Sequence, residues 1–109
     1  WSGNDDITIP LLSIGGSGVI SVWANVMPRE VHNMVMDYLE GRREQAVATA
    51  VKYLDVANGL FMEVNPIPVK TALNMMGWDV GPFRLPLYEM SEDHQAALRR
   101  LLEEAGLLG

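Results

Sequence analysis

The residues that decide the fold are Gly15-Gly16-Ser17-Gly18-Val19-Ile20-Ser21-Val22. Two glycines close whatever precedes them, and a third opens a β-branched run too short for a helix, so Gly18 to Val22 reads as a strand. Its apolar residues hardly alternate with polar ones, which is the habit of a parallel strand covered on both faces. A solitary buried strand would leave its N–H and C=O groups unpaired, at roughly 1–3 kcal/mol each. Gly18 to Val22 is therefore expected to pair with strands outside this chain, supplied by a missing N-terminal part or by a companion chain.

Working outward, Ser2-Gly3-Asn4-Asp5-Asp6 reads as a turn and Ile7 to Ile14 as a short helix, capped by Asp6 or Thr8, with Pro10 tolerated in its first turn. Downstream, Pro28 opens a helix whose Val31, Met34, Val35, Tyr38 and Leu39 fall on one face, and Gly41 stops it. A longer helix is expected over about Arg42 to Met62, with Val47, Ala50, Val51, Leu54 and Phe61 along its core side. Asn65-Pro66-Ile67-Pro68 is expected to be extended, because a residue before proline avoids helical geometry, and Pro68 to start a helix over Val69 to Met76. An irregular run, Trp78 to Met90, leads to a last helix. Ser91 caps it, Glu92 and Asp93 meet its positive dipole end, and Leu98, Leu101, Leu102 and Ala105 form its buried stripe. The order is helix, strand, then four helices.

Composition bounds the function. The 109 residues are 49% hydrophobic and 20% charged, as in soluble globular domains. A net charge of -6 argues against a nucleic-acid partner. Cysteine is absent, so there is no disulfide framework and no thiolate metal site. No apolar run reaches membrane-spanning length, and the acidic start does not resemble a signal peptide. A cytoplasmic protein without a membrane partner is expected.

Catalytic motifs are scarce. There is no Cys nucleophile, Walker loop, Gly-x-Ser-x-Gly elbow or His-Glu-x-x-His helix. His32 and His94 lack any ligand-type spacing and read as solvated or capping residues. Gly15-Gly16-Ser17-Gly18 precedes a strand rather than a helix, so it reads as a turn and not as a phosphate cradle. Asp5-Asp6 reads as a capping pair rather than a general acid and base. Lys52 and Lys70 are the only lysines, and Lys70 reads as a helix-surface residue rather than an amine nucleophile. Met34, Met36, Met62, Met75 and Met76 read as core filling.

Four segments together resemble one family: Ser2-Gly3-Asn4-Asp5-Asp6, Gly15 to Val22, Glu63-Val64-Asn65-Pro66-Ile67-Pro68-Val69-Lys70, and Arg84-Leu85-Pro86-Leu87. Their order and spacing are similar to those of the dihydrodipicolinate synthases, pyruvate-dependent class I aldolases. The ending Glu104-Ala105-Gly106-Leu107-Leu108 fits as well. The Asn-Pro-Ile-Pro-Val-Lys string is the most specific part.

The resemblance implies an α/β fold: the C-terminal part of a (β/α)8 TIM barrel of roughly 250 residues. Ser2-Gly3 would end the seventh strand, Gly18 to Val22 would be the eighth, residues 1–40 the last βα units and residues 41–109 a helical extension. It implies a cytoplasmic lyase of the diaminopimelate route to lysine, homotetrameric, without metal or organic cofactor. That lyase condenses pyruvate with L-aspartate 4-semialdehyde through a lysine Schiff base. The Schiff-base lysine and a proton-relay tyrosine would lie on the sixth and fifth strands, upstream of Trp1. Within this chain no catalytic residue is expected; Ile20 and Gly3 match positions that border bound pyruvate, and the chain alone should be inert. Two rivals are an aldolase for keto-deoxy sugar acids or N-acetylneuraminate, and a non-catalytic helical interaction module.

Overall fold

A computed structural model describes residues 1–109. It contains six α-helices: α1 (Thr8–Ser13), α2 (Pro28–Leu39), α3 (Arg43–Lys52), α4 (Leu54–Gly59), α5 (Ile67–Met75) and α6 (Glu92–Glu104). Two 3-10 turns, Asp5–Ile7 and Trp23–Asn25, precede α1 and α2.

The β-branched run does pair within the chain, on one edge. Ser2 and Val19 form a parallel bridge, in which Ser2 N–H donates to Gly18 C=O and Ile20 N–H donates to Ser2 C=O, both at 2.8 Å. Parallel pairing demands a crossover between the two segments, and α1 is that crossover. One neighbour of the run is thus the Ser2 segment of the chain itself, beside the strands expected outside it.

Helix ends follow local chemistry. Pro28 occupies the first turn of α2, where a missing N–H costs nothing. At its other end Gly41 takes φ +91°, Arg42 N–H donates to Asp37 C=O at 2.7 Å and Gly41 N–H donates to Tyr38 C=O at 3.2 Å. This double closure needs the left-handed conformation that glycine adopts without strain.

The long helix expected over Arg42 to Met62 is two helices with a break at Tyr53, whose φ and ψ are -109° and 13°. The buried face is also not the expected one: Ala46, Ala50, Tyr53, Ala57 and Leu60 keep a single helical phase through the break. Ala46, Val56, Ala57 and Leu60 enter the core, whereas Val47, Val51, Leu54 and Phe61 stay exposed. Tyr53 lies 6.1 Å from Trp23, ring centre to ring centre, so aromatic packing sits at the break. The helix after Asn65 also starts earlier than expected. Ile67 is helical and fully buried, so its burial outweighs the pre-proline preference for extended backbone.

One core joins the two ends of the chain: Trp23, Met34, Ala46, Leu60, Ile67, Leu98 and Leu102 all belong to it. α2 packs on α3, and α6 packs on α4 and α5. Met34 is buried, with Met62, Met75 and Met76 packed against the core. At α6 the Ser91 Oγ accepts from His94 N–H at 3.4 Å, the N-cap expected.

Candidate functional site

The site grows from the bridge. Beyond Ser2 the chain must turn sharply to enter α1, and the buried Ser2 hydroxyl shapes that turn. It donates to Asn4 C=O at 2.7 Å and accepts from Asn4 N–H at 3.2 Å. Gly3 lies between these residues, and nothing stands within 4 Å of where a Cβ would project. Across the bridge, Ile20 N–H is bonded to the carbonyl of the Ser2–Gly3 peptide. Gly3 and Ile20, far apart in sequence, are therefore neighbours. The Ile20 side chain is 76% exposed, and none of the chain's own donors reaches its carbonyl.

Asp5 is the residue whose role sequence reasoning missed. Its side chain does not cap α1. It reaches across to the segment after Ile20, where Oδ2 accepts from Val22 N–H at 3.0 Å and from Trp23 N–H at 3.1 Å, and Oδ1 accepts from the Ser21 hydroxyl. Ser21 Oγ in turn accepts from Ala24 N–H at 2.8 Å. A carboxylate 7% exposed is thereby compensated by three donors, as burial of a charge requires. Asp5 thus caps the Trp23–Asn25 turn, a different element from the one beside it in sequence. Only the pairing of adjacent carboxylates with a run of N–H groups 17 residues away would have disclosed it, and a single sequence carries no such signal.

The other candidates are structural. Lys70 Nζ donates to Pro82 C=O at 2.8 Å and lies 4.9 Å from the centre of the Phe83 ring, tying α5 to the following loop. Lys52 is exposed beside Tyr53. His94 Nδ1 contacts Glu63 Oε2 at 2.8 Å, and the same oxygen accepts from Ser91 N–H at 3.0 Å and Ser91 Oγ at 3.2 Å. The contact with His94, followed by the two bonds from Ser91, holds the Glu63 carboxyl below its ordinary range against an opposing effect of burial. His32 is exposed. Gly15 to Gly18 form the helix-to-strand turn expected, and at Gly16 a Cβ would lie 2.7 Å from Leu11 O.

An apolar cleft of ≈ 210 Å³ lies between α1 and α3–α4, lined by Asp5, Ile9, Trp23, Met34, Val51 and Leu54 among others. It accounts for the exposed apolar side of α3. Neither Gly3 nor Ile20 lines it.

This arrangement, a parallel bridge with both ends tied by one buried carboxylate, coincides with a sequence match to the dihydrodipicolinate synthetase family over residues 1–105. The chain belongs to that family. It is 53% identical over 108 residues to a 4-hydroxy-tetrahydrodipicolinate synthase of Clostridium tetani, covering 99% of this chain and 37% of that protein. A relative from Thermoanaerobacter pseudethanolicus is 50% identical over 108 residues, covering 99% of this chain and 36% of that protein. Among solved structures, dihydrodipicolinate synthase from Thermotoga maritima superposes with a TM-score of 0.96 at 46% identity, covering 99% of this chain and 37% of that one. A further dihydrodipicolinate synthase crystal structure gives 0.95 at 50% identity, covering 98% and 37%. The chain thus spans little more than a third of the length of the relatives it matches. Its fold is the C-terminal part of a family TIM barrel with following helices, and the expectation for fold class holds. No helix is long and apolar enough to cross a membrane.

Proposed function

We propose that the protein carrying this chain is a lyase that condenses pyruvate with L-aspartate 4-semialdehyde through a lysine Schiff base, the imine lysine and proton-relay tyrosine lying outside residues 1–109. Family membership over residues 1–105 carries this reading. Residues 1–40 are then the last βα units and residues 41–109 the helical extension.

Ile20 and Gly3 are the contribution of this chain to the pyruvate pocket. Ile20 N–H is consumed by Ser2, so the group left is the Ile20 carbonyl, an acceptor for the N–H of the protonated imine that pyruvate forms with the lysine. The open space over Gly3 leaves room for the ligand, which a side chain would invade. Active sites of barrels lie at the ends of the strands where such loops meet, and both residues stand at the bridge. Binding and orientation are all that these two supply. A homotetramer in the cytoplasm, as the resemblance implies, completes the proposal.

Pyruvate with borohydride tests it. The full-length protein gains one reduced adduct on a lysine outside this chain, seen by intact mass and peptide mapping, while residues 1–109 alone gain none. An adduct on Lys52 or Lys70 overturns the assignment. Light scattering of the full-length protein checks the tetramer.

A further inference from the structure

Asp5 occupies an unusual station. Three donors converge on its carboxylate, and all three come from Ser21, Val22 and Trp23, the residues that directly follow Ile20. On the other side of Ile20, its own N–H is bonded to Ser2 C=O. Ile20 is thus held between two clamps, one from the bridge and one from Asp5. Between them lies only its carbonyl, which no group of the chain engages.

The Asp5 end of the clamp is equally fixed. Asp5 C=O accepts from the Thr8 hydroxyl at 2.9 Å, and Thr8 is 1% exposed. The Ser2 hydroxyl closes the Gly3 turn against Asn4, one residue before Asp5. No cation pairs with Asp5, so its carboxylate, carried by the turn after Gly3, is held solely by donors of the segment that follows Ile20. A neutral side chain would cap the Trp23–Asn25 turn as well in terms of shape. A carboxylate accepts on both oxygens at once, and so sets both the distance and the angle between the loops.

We propose that Asp5 is a positioning residue for pyruvate: by tying the turn after Gly3 to the segment after Ile20, it sets where the Ile20 carbonyl points and how wide the gap over Gly3 is. The inference rests on the reading that Gly3 and Ile20 border the pyruvate pocket. With its oxygens committed to three donors, Asp5 does not touch the substrate and exchanges no proton with it. It acts through Ile20.

Steady-state kinetics of the full-length enzyme test this, with Asp5→Asn, Ser21→Ala and Leu102→Ala compared with wild type well below each Tm. Asparagine turns an NH2 group toward N–H or O–H donors that need an acceptor, so the loops shift. The KM for pyruvate then rises about tenfold, while the KM for aspartate semialdehyde moves by less than about twofold, because misplacement is felt by the ligand that Ile20 orients. Ser21→Ala deletes one donor of three and keeps the carboxylate, so it gives a smaller rise, about threefold. Leu102→Ala lowers Tm from the far side of the core and leaves the pyruvate KM at the wild-type value. That separates positioning from loss of folded enzyme.

A pyruvate KM within twofold of wild type in Asp5→Asn, or one that climbs equally in Leu102→Ala, overturns the inference while leaving the functional reading intact. Should Asp5→Asn fail to fold, Ser21→Ala decides alone, and an unchanged pyruvate KM there overturns the inference. A wild-type enzyme that turns over neither substrate defeats the functional reading, and the inference falls with it.

Discussion

Replacing Leu102 by alanine removes three carbons from a side chain that is completely buried. At about 0.8 kcal/mol per buried methylene the transfer loss alone is about 2.4 kcal/mol. A cavity is left as well, because Leu102 faces a core into which Leu98 and Leu60 are already fully packed, and Leu→Ala losses in such settings span about 2.7–5.0 kcal/mol. The lower end, about 3 kcal/mol, is expected because the neighbouring Leu101 is only partly buried and its side chain has room to relax into the space. Leu98 and Leu102 are the only two buried residues of α6, so the loss falls on the attachment of that helix rather than being spread over the fold. Native-state hydrogen exchange reads it directly. Amides from Gln95 to Glu104 should exchange roughly 150-fold faster, the equivalent of about 3 kcal/mol, while those of α2 change little. Acceleration of less than about tenfold in α6, or an equal acceleration in α2, would refute the reasoning that Leu102 locks α6 into this core.

Other consequences are as direct. Ser91→Ala removes the hydroxyl that caps α6 and should cost about 1 kcal/mol, read as a lower urea midpoint with unchanged m. Glu63 has a folded-state carboxyl pKa below its unfolded value, so its contribution is complete above the unfolded value and is lost as pH falls through the folded one. Carbon-detected NMR should place the Glu63 midpoint below the ordinary glutamate range, and His94→Ala should raise it; a midpoint indifferent to His94 contradicts the contact. Gly41→Ala forces a side chain into φ +91°, and a stability loss of roughly 1–2 kcal/mol is expected in thermal melts. Gly16→Ala would place a Cβ 2.7 Å from a backbone oxygen of Leu11, so the helix-to-strand turn must open and Tm must fall.

Much of this fold was legible because its signals are local. Pro28, Gly41, Gly77, Ser91 and Gly106 mark helix ends through properties of single residues, and the helices start or stop beside them. The α2 stripe needs only a period of 3.6, and Val31, Met34, Val35 and Tyr38 do face the core, while Leu39, at the end of the helix, is exposed. The α3–α4 face was not legible. The segment carries two apolar faces of the same period, and the core takes the one with the small residues Ala46, Ala50 and Ala57 beside Tyr53 and Leu60, leaving Val47, Val51 and Leu54 outside. Aromatic packing against Trp23 lies some thirty residues away in sequence, beyond the reach of any local window.

At the candidate site the same division holds. Residue identity alone pointed to Gly3 and Ile20 by family likeness, and to a parallel strand by an unalternating apolar run. That the two positions adjoin, and that Asp5 leaves its own helix start to bind Ser21, Val22 and Trp23, was decided by the crossover of α1. A buried carboxylate takes whichever donors the fold brings within reach, and only the folded chain determines which those are. Sequence sets where a chain can turn and what it can bury; the closure of distant segments on one another sets what each polar group meets.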